Sequence, residues 1–151
     1  MTNTKVFSTL KGAFMSKELE EPKMEVDEEG TKRWYLNDKL HRTDGPAVEY
    51  VNGSKQWFLN GKHHRTDGPA ADYADGSKYW YLNDRLHRTD GPAVEYADGS
   101  KQWWVNGKRH RTDGPAIEYA DGSKYWYLKG FRYPNESSYI SAGGCSSTKI
   151  S

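Results

Sequence analysis

The pentapeptide His-Arg-Thr-Asp-Gly occurs four times, at His41–Gly45, His64–Gly68, His87–Gly91 and His110–Gly114. An imidazole, a guanidinium, a hydroxyl and a carboxylate within five residues could serve acid–base chemistry or hold a metal ion. A metal needs three or four ligands converging at about 2 Å, and one copy supplies only His and Asp. If each copy sits in its own three-strand unit, strand spacing of ~4.8 Å sets successive histidines about 14 Å apart, too far to share an ion. Catalysis fits poorly as well. An active site is normally single, whereas four copies point to one structural task done four times. No nucleophile elbow, phosphate loop or zinc-protease pattern occurs. The chain is therefore read as a non-enzyme, with no catalytic residue, no metal ligand and no cofactor. The motif is expected to be structural. Asp44, Asp67, Asp90 and Asp113 cap a turn through their own backbone. The glycine supplies a positive φ, and Arg42, Arg65, Arg88 and Arg111 pair with carboxylates.

The element that positions each copy is a repeat. Trp34, Trp57, Trp80, Trp103 and Trp126 recur every 23 residues, as do Gly30, Gly53, Gly76, Gly99 and Gly122. Five units begin at Pro22, Pro46, Pro69, Pro92 and Pro115. Each reads strand, turn, strand, turn, strand. Proline is tolerated at a strand's first residue, and Asp-Gly and Asn-Gly are two-residue hairpin signals of the type I′ kind. In the third unit, a two-residue Asp75-Gly76 loop sets Tyr73 opposite Lys78 and Ala71 opposite Trp80. A two-residue Asn83-Asp84 loop sets Leu82 opposite Arg85 and Trp80 opposite His87. Ala71, Tyr73, Trp80, Leu82 and His87 then share one face, expected to be the main core. Asp72, Tyr79, Tyr81, Leu86 and Arg88 share the other. In the degenerate first unit Met24, Glu25 and Val26 take the Val-Glu-Tyr slots, before a turn at Asp27–Gly30 one residue longer than the rest. The last unit closes as Phe131–Pro134. The expected fold is all-β: an elongated antiparallel meander or solenoid of five tandem 23-residue repeats over residues 22–134, with a short N-terminal helix.

Composition bears on order and on partners. Hydrophobic residues make up only 34%, but aromatics reach 14%, with six Trp and eleven Tyr. Disordered chains are poor in aromatics, so a folded array held by aromatic burial is expected. Net charge is +1, and residues 22–133 hold 18 Lys and Arg against 17 Asp and Glu. Nucleic-acid binding along Lys55, Lys78, Lys101, Lys124 and the arginines would need unopposed positive charge, and is disfavoured. A single cysteine, Cys145, excludes an internal disulfide and fits a reducing, cytoplasmic setting. No apolar run is long enough to span a membrane, and the N-terminus lacks a signal-peptide core.

Tyr35, Phe58, Tyr81, Trp104 and Tyr127 fall opposite the expected core and alternate with the four motif arginines. If exposed, this Tyr/Trp/Arg ladder has the composition of a protein-binding hot spot; alternatively the sheet coils and buries both faces. The partner expected is a protein. Two flanking segments remain. Val6, Leu10, Phe14 and Met15 recur at helical spacing within residues 1–21. That segment reads as a helical cap on the first unit or as a membrane-surface helix. Residues 135–151 are Ser/Gly-rich and read as a flexible tail. Exposed end strands would also permit a homo-oligomer.

The run Trp103-Trp104-Val105-Asn106-Gly107-Lys108-Arg109-His110, followed by Tyr119-Ala120-Asp121-Gly122-Ser123, resembles the MORN repeat. The resemblance covers Pro22 to Tyr133. It implies β-hairpin units in an elongated sheet, scaffolding or membrane-associated roles, and repeats without enzymatic activity. The entry Gly76-Ser77-Lys78-Tyr79-Trp80 and the exit His87–Gly91 depart from the usual MORN pattern, so the units look like a variant. They also resemble the His-Arg-x-Asp-Gly-Pro-Ala repeats in proteins of large phages and giant viruses.

Overall fold

The computed structural model describes residues 19–146. The expected N-terminal helix falls outside the described residues except for its last three positions, which are coil. From Lys23 to Tyr133 the chain is a run of short antiparallel strands in an open meander, followed by one short helix, Glu136–Ser141.

Within each inner unit the second strand is interrupted at its tryptophan: Lys55–Gln56 and Phe58–Leu59 flank Trp57, for example. Before the tryptophan the strand pairs with the Val-Glu strands on either side, building one twelve-stranded sheet. After it, the strand forms a hairpin with the residues preceding the His-Arg-Thr-Asp-Gly motif. Tyr81 thus faces Leu86 and Leu82 faces Arg85. The tryptophan is the pivot. Trp80 N–H donates to Ala93 of the next unit at 2.8 Å, while its carbonyl accepts His87 N–H at 3.0 Å. Successive hairpins are then linked by Arg65 N–H to the Tyr81 carbonyl at 3.1 Å and Asp84 N–H to the His63 carbonyl at 3.0 Å. Two ladders therefore run side by side along the array.

The two turns of a unit differ in kind. Asn83 and Asp84 have φ of 50° and 63°, as a two-residue type I′ loop requires, so the Leu82–Arg85 and Trp80–His87 pairings stand. The Asp75-Gly76 turn is different. Among its residues only Gly76 has positive φ, at 94°. Tyr73 N–H donates to the Ser77 carbonyl and Gly76 N–H to the Tyr73 carbonyl, each at 2.9 Å. This is a three-residue loop with glycine at the bulge position. Asp75 braces it by accepting Ser77 N–H at 2.8 Å. The register is therefore Ala71 with Tyr79 and Asp72 with Lys78. A slip of one residue moves a whole strand to the opposite face, so the expected faces need correcting. Tyr79 shares a face with Ala71, and Lys78 shares one with Asp72. The first turn has the same length, because Asp27 N–H donates to the Thr31 carbonyl and Val26 faces Lys32. Asp27 thus sits in the tyrosine slot, and the turn is not one residue longer.

With the register set, each face becomes legible. One carries Lys32, Glu49, Lys55, Asp72, Lys78, Glu95, Lys101, Glu118 and Lys124 in adjacent positions. Charge alternates at every step, and opposite charges directly across a ladder are mildly stabilising. The other face carries Val48, Gln56, Ala71, Tyr79, Val94, Gln102, Ile117 and Tyr125. The buried core is not the tryptophan row. It consists of Ala47, Val48, Ala70, Ala71, Ala93, Val94, Ala116 and Ile117, with Phe58, whereas the tryptophans are half-buried. The larger core members contribute about 1.5–3 kcal/mol each. Ser54, Ser77 and Ser100 are buried beside this row, and each hydroxyl accepts a backbone N–H from the next unit, as Ser77 does from Ala97 at 3.1 Å.

Of the expected tail, residues 135–146 are described, and they are ordered against the array. Asn135 caps the helix by accepting Ser138 N–H at 2.9 Å, and Ser138 Oγ lies 3.4 Å from Asn135 N–H, closing a capping box. Tyr139 is fully buried against the last unit. A six-residue helix is too short to stand alone, so docking of Tyr139 is what orders it.

Candidate functional site

The motif loop is organised around its arginine. The Arg88 guanidinium lies 4.1 Å from the centre of the Trp80 ring, and the other three motif arginines stack likewise at 3.9–4.0 Å. Arg88 Nε donates to Asp90 at 2.8 Å, and Nη1 donates to the Pro92 carbonyl and to Glu95, each at 3.1 Å. Arg42 and Arg111 repeat the full set. Arg65 keeps the bonds to Asp67 and the Pro69 carbonyl but shows none to Asp72, whose side chain is one methylene shorter than glutamate. Asp44, Asp67 and Asp90 are held below the usual carboxylate range, first by the arginine hydrogen bond and then by its charge.

Two expectations change at this loop. Asp90 serves mainly as the arginine's acceptor rather than as a cap on its own backbone. The glycine does not supply positive φ, for Gly45, Gly68, Gly91 and Gly114 are absent from the positive-φ set. A Cβ on Gly91 would stand 2.9 Å from Arg88 Cζ, so glycine is required for the close approach of the guanidinium. The arginines also do not join the Tyr81 row. They lie on the tryptophan side, as partners of the structural ladder Trp34, Trp57, Trp80 and Trp103. Trp126 has no such partner, because Pro134 occupies the arginine slot.

The histidines clasp neighbouring units. Asn60 N–H and Asn106 N–H each donate to Nδ1 of His41 and His87 at 3.1 Å, and Lys129 N–H donates to His110 Nδ1 at 2.9 Å. His64 Nδ1 lies 3.0 Å from Asn83 Oδ1. Among the described residues no group of three or more His, Cys, Asp or Glu could hold a metal.

Between consecutive motif loops the array opens into clefts. Three equivalent ones have volumes of about 480, 660 and 660 Å³. The second is lined by Arg65–Gly68 of one loop, by Trp80, Leu82 and His87 of the next hairpin, and by Arg88–Asp90. The fourth position is filled by the chain itself. Tyr139 Oη donates to the Arg111 carbonyl at 2.8 Å and accepts Gly114 N–H at 3.2 Å. Its ring meets Tyr133 edge-on at 6.3 Å, and Cys145 N–H donates to the Thr112 carbonyl at 2.7 Å. Sequence reading missed this site. The capping pattern Asn135-x-x-Ser138 ahead of Tyr139 was the available signal.

The side of the hairpins away from the clefts carries the expected aromatic slots. Tyr35, Tyr81, Trp104 and Tyr127 are half-buried, while Phe58 is buried at 8% exposure. Their hairpin partners Leu40, His63, Leu86, Arg109 and Arg132 interleave with them. Phe58, His63 and Tyr81 pack ring to ring at 4.1 and 5.1 Å, and Arg109 lies over Trp104 and Tyr127 at 4.9 and 5.3 Å. Tyr79 extends this ridge onto the main sheet. It stacks with Tyr81 at 6.3 Å and meets Tyr73 and Tyr96 edge-on at 5.5 and 5.9 Å. Burial raises the Tyr79 and Tyr81 phenols above their usual range. Tyr73 and Tyr119 are 37% and 41% exposed, so the ridge reaches solvent.

Compared with known protein families and with curated proteins, the chain matches no family model and no curated protein.

Proposed function

We propose that the chain is a non-enzymatic repeat scaffold that docks protein partners along its aromatic ridge. The observation that carries this reading is the continuity of the ridge. Half-buried Tyr or Trp side chains stand on one side of four of the five hairpins, buried Phe58 fills the same slot in the other, and the row runs on through Tyr79, Tyr73 and Tyr96. Rigid aromatic side chains lose little entropy on docking, and Tyr, Trp and Arg dominate hot spots. The likeness of the units to MORN repeats supports a scaffold role by analogy. A single free cysteine suits a reducing, cytoplasmic setting.

The charge pattern argues against nucleic acid as the partner. Lys55, Lys78 and Lys101 each stand between two carboxylate-bearing positions of the ladder, and Lys124 stands beside Glu118, so the lysines form no unopposed positive stripe. Among the described residues no helix is long and apolar enough to cross a membrane.

The test is affinity capture with mass spectrometry, comparing the full chain with Tyr81→Ala/Trp104→Ala and with Tyr73→Lys/Tyr119→Lys. Circular dichroism checks the fold of each. Partners lost from both folded variants support the ridge; an unchanged partner set on a folded variant refutes it.

A further inference from the structure

The three open clefts and the filled one are built from the same parts. Arg42, Arg65, Arg88 and Arg111 occupy one slot of the repeat, and Gly45, Gly68, Gly91 and Gly114 another. In the fourth copy of the motif the Arg111 carbonyl and Gly114 N–H are both satisfied by the Tyr139 hydroxyl. The corresponding carbonyls of Arg42, Arg65 and Arg88, and the N–H groups of Gly45, Gly68 and Gly91, find no hydrogen-bond partner among the described residues. Burial follows the same division. Gly114 and Pro115 are buried, whereas Gly45, Pro46, Gly68, Pro69, Gly91 and Pro92 are only half-buried. The loops of the first three complete copies thus present one acceptor, one donor and an uncovered apolar patch, in the arrangement that a phenol satisfies in the fourth.

We propose that these three clefts are binding sites for tyrosine side chains of a partner polypeptide, each presented from a short capped helical turn as Tyr139 is. The occupant is specified by the chain's own example. Its ring packs against the hairpin wall that Trp80, Leu82 and His87 form in the middle cleft. Its hydroxyl bridges the arginine carbonyl and the glycine amide. A phenylalanine could fill the volume but would leave both backbone groups unpaired. This inference goes beyond the ridge, which lies on the other side of the hairpins, and the two are tested separately.

The probe is a synthetic peptide of residues 134–146, titrated into the ¹⁵N-labelled full chain. The amide resonances of Gly45, Gly68 and Gly91 are expected to shift together while that of Gly114, already bonded to Tyr139, stays put. A Tyr139→Phe peptide is expected to bind about tenfold more weakly, the loss of one hydrogen-bonded hydroxyl, and a Tyr139→Ala peptide not to bind. Equal binding of the Ala peptide overturns the proposal. So does a shift of Gly114 alone, which would mean simple exchange with the chain's own segment. Absence of any shift at the three glycines overturns it equally.

Discussion

Gly91→Ala, made alone and together with Arg88→Ala, isolates the reason for glycine in the motif. Gly91 has no positive φ, so its backbone tolerates a side chain. The added Cβ would instead stand 2.9 Å from Arg88 Cζ and 3.1 Å from Nε and Nη2, inside normal contact. The guanidinium must move; of its four contacts the solvent-exposed pairs with Asp90 and Glu95 contribute little, so the other two carry the cost. The stack on Trp80 at 4.1 Å, with Arg88 22% exposed, is worth about 1 kcal/mol. The charge-assisted bond to the Pro92 carbonyl at 3.1 Å is worth about 1.5 kcal/mol. Against their loss stands a gain of about 0.5 kcal/mol from the smaller entropy of the unfolded chain. Gly91→Ala alone should therefore cost about 2 kcal/mol. In the Arg88→Ala background the obstruction is gone, so the same change should be neutral or stabilising by about 0.5 kcal/mol. The coupling expected is about 2.5 kcal/mol, well above what independent sites show. Urea unfolding of the four proteins, followed by tryptophan fluorescence, measures it. A Gly91→Ala cost that is the same in both backgrounds would refute the close-approach explanation and put the constraint back on the backbone.

Acid stability follows from the lowered carboxyls of Asp44, Asp67 and Asp90. A carboxyl whose folded pKa is lowered contributes stability that is fully present above its unfolded value, near 4, and lost as pH falls through the lowered folded value. The melting temperature should thus hold level from neutral pH to about 5 and drop below about 4, and the triple Asp→Asn variant should show a shallower drop in the same titration. Gly144→Ala should undock the C-terminal helix, because its Cβ would run into the Tyr139 ring. Hydrogen exchange at Gly114 and Cys145 should then accelerate while exchange at Gly91 stays unchanged, and unaltered protection at Gly114 would contradict the docking.

Much of this protein is written locally. The 23-residue period, the strand–turn–strand–turn–strand order and the Asn83-Asp84 loop depend on residues within a few positions of one another. Turn chemistry and β-propensity act at that range, so reading the chain residue by residue reaches the antiparallel meander. The Asp75-Gly76 turn lay at the limit of that reach. A two-residue and a three-residue loop use the same dipeptide, and the choice between them shifts the register by one. That single step decides that Ala71 shares a face with Tyr79 rather than with Trp80, and Asp72 one with Lys78.

Other features depend on contacts between units and could be settled only by the tertiary structure. The motif glycine exists for an arginine side chain that folds back over it, an arrangement set by the Trp80 ring and the Pro92 carbonyl together. The core is a row of Ala, Val and Ile, while the larger tryptophans are half-buried and carry the arginines. Tyr139 has only Ile140 beside it in a Ser/Gly-rich stretch, so no apolar period marks it as buried. It is ordered because the last motif loop offers an unpaired carbonyl, an unpaired amide and a hydrophobic wall at the spacing of one phenol. Local pattern determined the repeating unit; the meeting of one unit with the next determined which side chains that unit buries and which it leaves at the surface.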